Sequence, residues 1–116
     1  MNILIVEDNE TVRQMLFKLV SPFAETVYQC GDGKAAVELN RQFHPEWILM
    51  NIELREMDGL TAMRSIIAES PETKILVVTN YDGKEMRQMS HEAGACGFIQ
   101  KENLFDVRSF LSDQIH

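Results

Sequence analysis

Short apolar runs that stop abruptly at a polar residue set the pattern of this chain. Ile3-Leu4-Ile5-Val6 stops at Glu7-Asp8-Asn9, Trp47-Ile48-Leu49-Met50 at Asn51 and Ile75-Leu76-Val77-Val78 at Thr79, while Gly97-Phe98-Ile99-Gln100 is a short further strand ending at Lys101. An apolar run without alternation is a strand buried on both faces, the environment of a parallel sheet covered by helices on two sides. The polar residue that closes each run then stands at a strand's carboxyl end, where open α/β sheets place their ligand sites. Asn51 marks such a site.

The intervening segments read as helices. Val12, Met15, Leu16, Leu19 and Val20 recur at helical spacing as far as Pro22,. Thr26–Cys30 is a less apolar strand that belongs near an edge, and Gly31-Asp32-Gly33 is a turn. A second stripe, Ala35, Ala36, Leu39 and Phe43, ends before Pro45. After Asp58-Gly59, which reads as a helix start, Leu60, Met63, Ile66 and Ile67 form a third face that lasts to Pro71. Asp82 with Glu85 forms a capping pair for a helix of thin apolar content (Met86, Met89, Ala93), closed by Gly94. Asn103 caps a last helix carrying Leu104, Val107, Leu111 and Ile115. Strict alternation of this kind predicts an α/β fold, a doubly wound five-stranded parallel sheet with five helices. Right-handed crossovers leave few ways to wind it. The flavodoxin-like order 2-1-3-4-5 is the common one, with its site at the switch point between the first and third strands.

The 116 residues suffice for one domain with its own core,. A net charge of -7 argues against direct contact with nucleic acid or an anionic membrane through charge. No apolar stretch approaches spanning length, and nothing at the start resembles a signal peptide. Two cysteines, Cys30 and Cys96, are too few for a disulfide scaffold. The expected setting is the cytoplasm, with both thiols reduced and packed as small core residues. The seven methionines read as core filler, and His44, His91 and His116 as loop or surface residues.

In a parallel sheet Glu7, Asp8, Asn51, Thr79 and Lys101 converge on one rim. Adjacent carboxylates repel each other, and a hard cation such as Mg²⁺ relieves that repulsion. A hydroxyl and an ammonium beside them suit an oxyanion held by the same metal, as phosphoryl transfer requires. No Gly-rich loop follows the first strand, which disfavours nucleotide and flavin binding. Taken alone, Glu7-Asp8 could be helix-start acids, Lys101 a solvated lysine and Phe98 a core aromatic.

Jointly, Ile3-Leu4-Ile5-Val6-Glu7-Asp8-Asn9, Met57-Asp58-Gly59, Val77-Val78-Thr79 and Gly94-Ala95-Cys96-Gly97-Phe98-Ile99-Gln100-Lys101 resemble the receiver domain of bacterial two-component response regulators. Tyr81-Asp82-Gly83 and Gly97-Phe98-Ile99-Gln100-Lys101-Glu102 are most similar to receivers that precede a helix-turn-helix DNA-binding domain. The resemblance spans residues 1–116 as a single receiver-like domain and raises the expectation of an output domain beyond it. It implies Asp8 as a direct Mg²⁺ ligand, Glu7 as one acting through water, and the Glu53 carbonyl as a further ligand. Thr79 matches the switch hydroxyl, Lys101 the ammonium that pairs with the phosphoryl group, and Phe98 the aromatic that swings inward on activation. The implied partners are a sensor histidine kinase or phosphotransfer protein. An output domain, a partner or a second copy would use the face of helix four, strand five and helix five. The implied role is signalling rather than enzymatic.

The phosphoacceptor aspartate of that family falls at Asn51. A carboxylate attacks phosphorus and forms an acyl phosphate, whereas the amide nitrogen lone pair is delocalised into its carbonyl. Phosphorylation at Asn51 should therefore be absent and Mg²⁺ binding weakened, since a full negative charge is gone. Two explanations fit: a substitution engineered into an otherwise normal receiver, or a natural pseudo-receiver that binds partners without phosphate. The intact set of Glu7, Asp8, Thr79 and Lys101 favours the first. The loop Leu54-Arg55-Glu56, which lacks the usual proline, and Asn80, where small residues are usual, favour the second.

Overall fold

Five strands, β1 (Asn2–Val6), β2 (Thr26–Cys30), β3 (Trp47–Met50), β4 (Lys74–Thr79) and β5 (Gly97–Gln100), pair in parallel in the order β2-β1-β3-β4-β5. Between them run α1 (Glu10–Val20), α2 (Gly33–Phe43), α3 (Gly59–Glu69), α4 (Lys84–Glu92) and, after β5, α5 (Asp106–Ile115). The structure, a computed structural model, describes residues 1–54, 57–81 and 83–115, and the side chains of these except residue 115. Arg55 and Glu56 of the altered loop, Asp82 of the expected capping pair, the Ile115 side chain and His116 lie outside the described residues.

Alternation along each strand splits the core into two layers. Leu4, Val6, Ile48, Met50, Ile75 and Val77 meet Ala36, Val37, Met63 and Ile66 of α2 and α3 on one face. Ile3, Ile5, Leu49, Leu76, Val78 and Ile99 meet Leu16, Leu19, Val107 and Leu111 of α1 and α5 on the other. Each fully buried aliphatic side chain contributes about 1.5–3 kcal/mol of transfer free energy. The unbroken apolar runs are therefore what hold β1, β3 and β4 at the centre. β2 lies at the edge, as its weaker apolar character predicts.

Several expectations need correction. Of the expected α2 stripe, Ala36 is fully buried and Leu39 packs half-buried against the same layer, while Gly33, Val37 and Asn40 are buried without having been expected. Asn40 donates Nδ2–H to Ser70 Oγ at 3.2 Å, inside the seam with α3. Phe43, though 39% exposed, stacks on Tyr28 at 4.4 Å. Met15 and Met89 are exposed, unlike the fully buried Met50 and Met63, because each falls on the solvent side of its helix. Cys96 is exposed, and Cys30 is half-buried beside the core. Burial pushes the Cys30 thiol up to about 11, so it stays protonated. The last helix begins at Asp106 rather than after Asn103, since Lys101–Asn103 form a 3-10 turn. Gly83, at φ 128°, holds the N-cap position of α4, where no side chain among the described residues caps the helix.

Asp58 is the N-cap of α3, with Oδ1 accepting from Thr61 N at 2.9 Å and Oδ2 from Thr61 Oγ1 at 3.0 Å. The Thr61 backbone N–H, above all, holds the Asp58 carboxyl below its ordinary value of 3.8. A depressed folded-state pKa contributes stability that is present above the unfolded value and lost as pH falls through the folded one. Asp58→Ala should cost about 1 kcal/mol at neutral pH, with the deficit fading in acid below 3.8. Asp58→Asn, which still caps, should remove that pH dependence; urea melts across acidic pH check both.

Among the described residues, no helix is long and apolar enough to cross a membrane.

Candidate functional site

Strand register gathers the site. Val6 pairs with Met50 and Met50 with Val77, so Glu7 and Asn51 leave the sheet side by side. Asn51 N donates to Val6 O at 2.9 Å across this junction. Thr79 pairs with Gln100, which puts Lys101 one residue beyond the same rim. Asp8, Asn9, Asn51, Glu53, Asn80 and Lys101 line an open depression of about 400 Å³ there.

Asn51 is 2% exposed, and its side chain makes four hydrogen bonds. Its Nδ2 donates to Glu7 Oε2 at 3.1 Å, Asp8 Oδ1 at 3.3 Å and the Glu53 carbonyl at 3.0 Å. Its Oδ1 accepts from Glu53 N at 3.2 Å. Chemistry fixes which way the amide faces. The reverse orientation would aim Oδ1 at two carboxylates and a carbonyl, and the NH₂ at a backbone donor.

Glu7 is fully buried. Its Oε1 faces Lys101 Nζ at 2.7 Å, and its Oε2 accepts from Asn9 N at 3.0 Å. Burial, the leading influence, pushes its carboxyl above the ordinary carboxylate range, while the Lys101 ammonium and Asn9 N–H pull the other way. A buried carboxylate of this kind keeps its charge through a partner. Lys101 is that partner, rather than a free ammonium waiting at the rim.

Mg²⁺ takes oxygen ligands at about 2.0–2.1 Å. Asp8 Oδ1 and the Glu53 carbonyl, the oxygens that would face such an ion, both point at Asn51 Nδ2, an N–H donor with no lone pair to give. Glu7 is engaged by Lys101. Among the described residues no three His, Cys, Asp or Glu side chains converge as metal ligands. In this arrangement the site does not fit the cation.

Glu7, Asp8, Asn51, the Glu53 carbonyl and Lys101 are thus brought together. Thr79 is fully buried, and its Oγ1 accepts from Tyr81 N at 3.2 Å, a local turn contact rather than one to the acids. Phe98 stands apart, half-buried against the α2/α3 core layer with the Arg87 guanidinium 4.7 Å over its ring. Phe105, at the approach to α5, is 76% exposed. Two contributors went unnoticed in the sequence. Asn9 supports Glu7 through its N–H and caps α1 by accepting from Val12 N at 3.0 Å; an Asn before a helical stripe is a cap signal. Arg13 donates to the Glu7 carbonyl at 2.8 Å, a contact with no sequence signal beyond its place one turn into α1.

The chain matches the family described as the response regulator receiver domain over residues 3–108. It is 37% identical over 103 residues to a protein-glutamate methylesterase/protein-glutamine glutaminase of Shewanella frigidimarina, covering 85% of this chain and 26% of that protein. It is 31% identical over 102 residues to the transcriptional regulatory protein DegU of Brevibacillus brevis, covering 86% of this chain and 43% of that protein. The chain therefore spans under half the length of either relative. The response regulator domain of Thermotoga maritima CheB superposes with a TM-score of 0.85 at 24% identity, covering 99% of this chain and 92% of that one. That likeness shows the fold.

Proposed function

This chain belongs to the family of response regulator receiver domains, and from that premise we propose that it signals without a phosphoryl group on residue 51. Receiver domains are modules of two-component signalling that interact with histidine kinases or phosphotransfer proteins and with output domains. The activities in the names of the longer relatives are those proteins' own.

One observation carries the proposal: the Asn51 nitrogen, not an oxygen, faces Glu7, Asp8 and the Glu53 carbonyl. Acyl phosphate formation needs an oxygen lone pair aimed at phosphorus from this position, and the only side-chain oxygen of Asn51 is held by Glu53 N. Glu7, Asp8, Thr79 and Lys101 are otherwise the residue types that the family uses. Asp at position 51 is accordingly sufficient to restore phosphoryl acceptance from a histidine kinase.

A second interpretation, a constitutive interaction module, draws on a different observation. Tyr81, Met89 and Phe105 are exposed large apolar residues at α4 and the approach to α5, on the side where receivers meet output domains or second copies.

Intact mass after incubation with acetyl phosphate and Mg²⁺ tests the proposal, the chain running beside its Asn51→Asp variant. The variant alone should gain one phosphoryl group. Labelling of the unaltered chain would overturn the proposal, and labelling of neither would leave the constitutive module as the better account.

A further inference from the structure

We infer that the Asn51 carboxamide is a built-in substitute for the divalent cation, holding the acidic rim in one arrangement so that the site neither needs nor admits Mg²⁺. This rests on the proposal above that residue 51 accepts no phosphoryl group, and goes beyond it by saying what the amide does instead.

A divalent cation at such a rim draws oxygens of separate segments onto one point and offsets their charge. The Asn51 NH₂ does both. Its nitrogen lies 3.1 Å from Glu7 Oε2, 3.3 Å from Asp8 Oδ1 and 3.0 Å from the Glu53 carbonyl. These oxygens come from the β1 end and from the turn after β3. Two N–H protons serve three acceptors, so one proton is shared. The fourth contact, Oδ1 with Glu53 N at 3.2 Å, fixes the plane of the amide. Asn51 is 2% exposed, so the amide cannot turn away without breaking all four contacts and leaving a buried carboxamide unsatisfied, which is costly, even though Asp8 and Glu53 themselves are exposed.

Charge supports the same conclusion. Glu7 and Asp8 contribute two negative charges and Lys101, 2.7 Å from Glu7, returns one. An aspartate at position 51 would add a third negative charge and remove both N–H donors. The amide leaves one net negative charge, with partial positive hydrogens aimed at it. Little electrostatic demand for a cation remains.

Opposite results are expected from the substitute and from a mere weakened ligand, and the discriminating variant is Asn51→Ala. If Asn51 were a metal ligand through Oδ1, Asn51→Ala would respond to Mg²⁺ less than the unaltered chain. As a substitute, its removal frees Glu7, Asp8 and the Glu53 carbonyl for the ion, and the response grows. The unaltered chain should shift in Tm by less than about 1 °C between EDTA and saturating Mg²⁺, and Asn51→Ala by at least about 4 °C. An equal or smaller response in Asn51→Ala would overturn the inference.

Should Asn51→Ala fail to fold, the unaltered chain supplies the test. Its Asn51 side-chain ¹⁵N and amide proton resonances should stay in place through a Mg²⁺ titration that saturates Asn51→Asp. Movement of those resonances with Mg²⁺ would equally overturn it. Both readouts are blind to phosphoryl transfer, so labelling of the unaltered chain sinks the functional proposal, while a Mg²⁺ response sinks this one.

Discussion

Lys101→Met is expected to cost about 3–5 kcal/mol at neutral pH, because it strands a charge in the interior. Glu7 is 0% exposed, and Lys101 Nζ at 2.7 Å is the counter-charge at its Oε1. What remains after the substitution is one N–H from Asn9 and one from Asn51 on Oε2, enough to orient the carboxylate but not to neutralise it. The pH dependence has a definite sign. Burial already raises the Glu7 carboxyl above 4.5, and loss of the ammonium raises it further. A raised folded-state pKa makes its favourable contribution below the unfolded value and loses it as pH rises through the folded one. The deficit of Lys101→Met is therefore largest at neutral pH and shrinks as pH falls toward 4.5. Adding Glu7→Gln should recover most of the loss at neutral pH, since no buried charge is then left. Urea unfolding of the two single variants and the double variant measures this coupling. A Lys101→Met deficit that ignores pH, or that Glu7→Gln fails to relieve, would show that the pair is not what holds Glu7.

Gly59→Ala should cost about 3 kcal/mol, the upper end of the usual range for overpacking. Alanine is the better helix former, worth up to about 1 kcal/mol in a helix interior, so the expected sign is opposite to that of propensity. The reason is a close approach. A Cβ on Gly59 would lie 2.4 Å from the Asn51 carbonyl oxygen and 2.5 Å from Ile52 Cα. Both are main-chain atoms, and Gly59 N is itself tied to Ile52 O at 3.1 Å, so neither side has a flexible group to move. Either α3 backs away from the sheet or the turn that carries Asn51 shifts. The second alternative disturbs the amide contacts with Glu7 and Asp8, so chemical shifts of the Asn51 side chain should move along with the loss of stability. A Gly59→Ala variant as stable as the parent, with unmoved Asn51 resonances, would mean that this junction is looser than the distances require.

The site was legible where it depends on backbone order. An apolar run that ends at a polar residue places that residue at a strand end whatever the side chains do, and this alone brings Glu7, Asp8, Asn51 and Lys101 to one rim. Helix faces were less legible. Spacing does not single out Asn40, yet it is buried at the α2–α3 seam, where its Nδ2 donates to Ser70 Oγ while its Oδ1 has no partner among the described residues. Thr79 illustrates the limit at the site itself. Its place was readable, but the turn that occupies its hydroxyl through Tyr81 N was not.

From its sequence alone this protein is determined as a doubly wound parallel sheet with acids, an amide and a lysine at the carboxyl ends of its strands. Apolar periodicity and covalent order suffice for that, since both are properties of the chain before it folds. Which atom of the amide faces the acids, and that Lys101 spends its charge on Glu7, only the tertiary structure decided. Those outcomes depend on distances of about 3 Å between segments some 40 residues or more apart, where hydrogen-bond direction and desolvation choose among arrangements that the sequence leaves equally open.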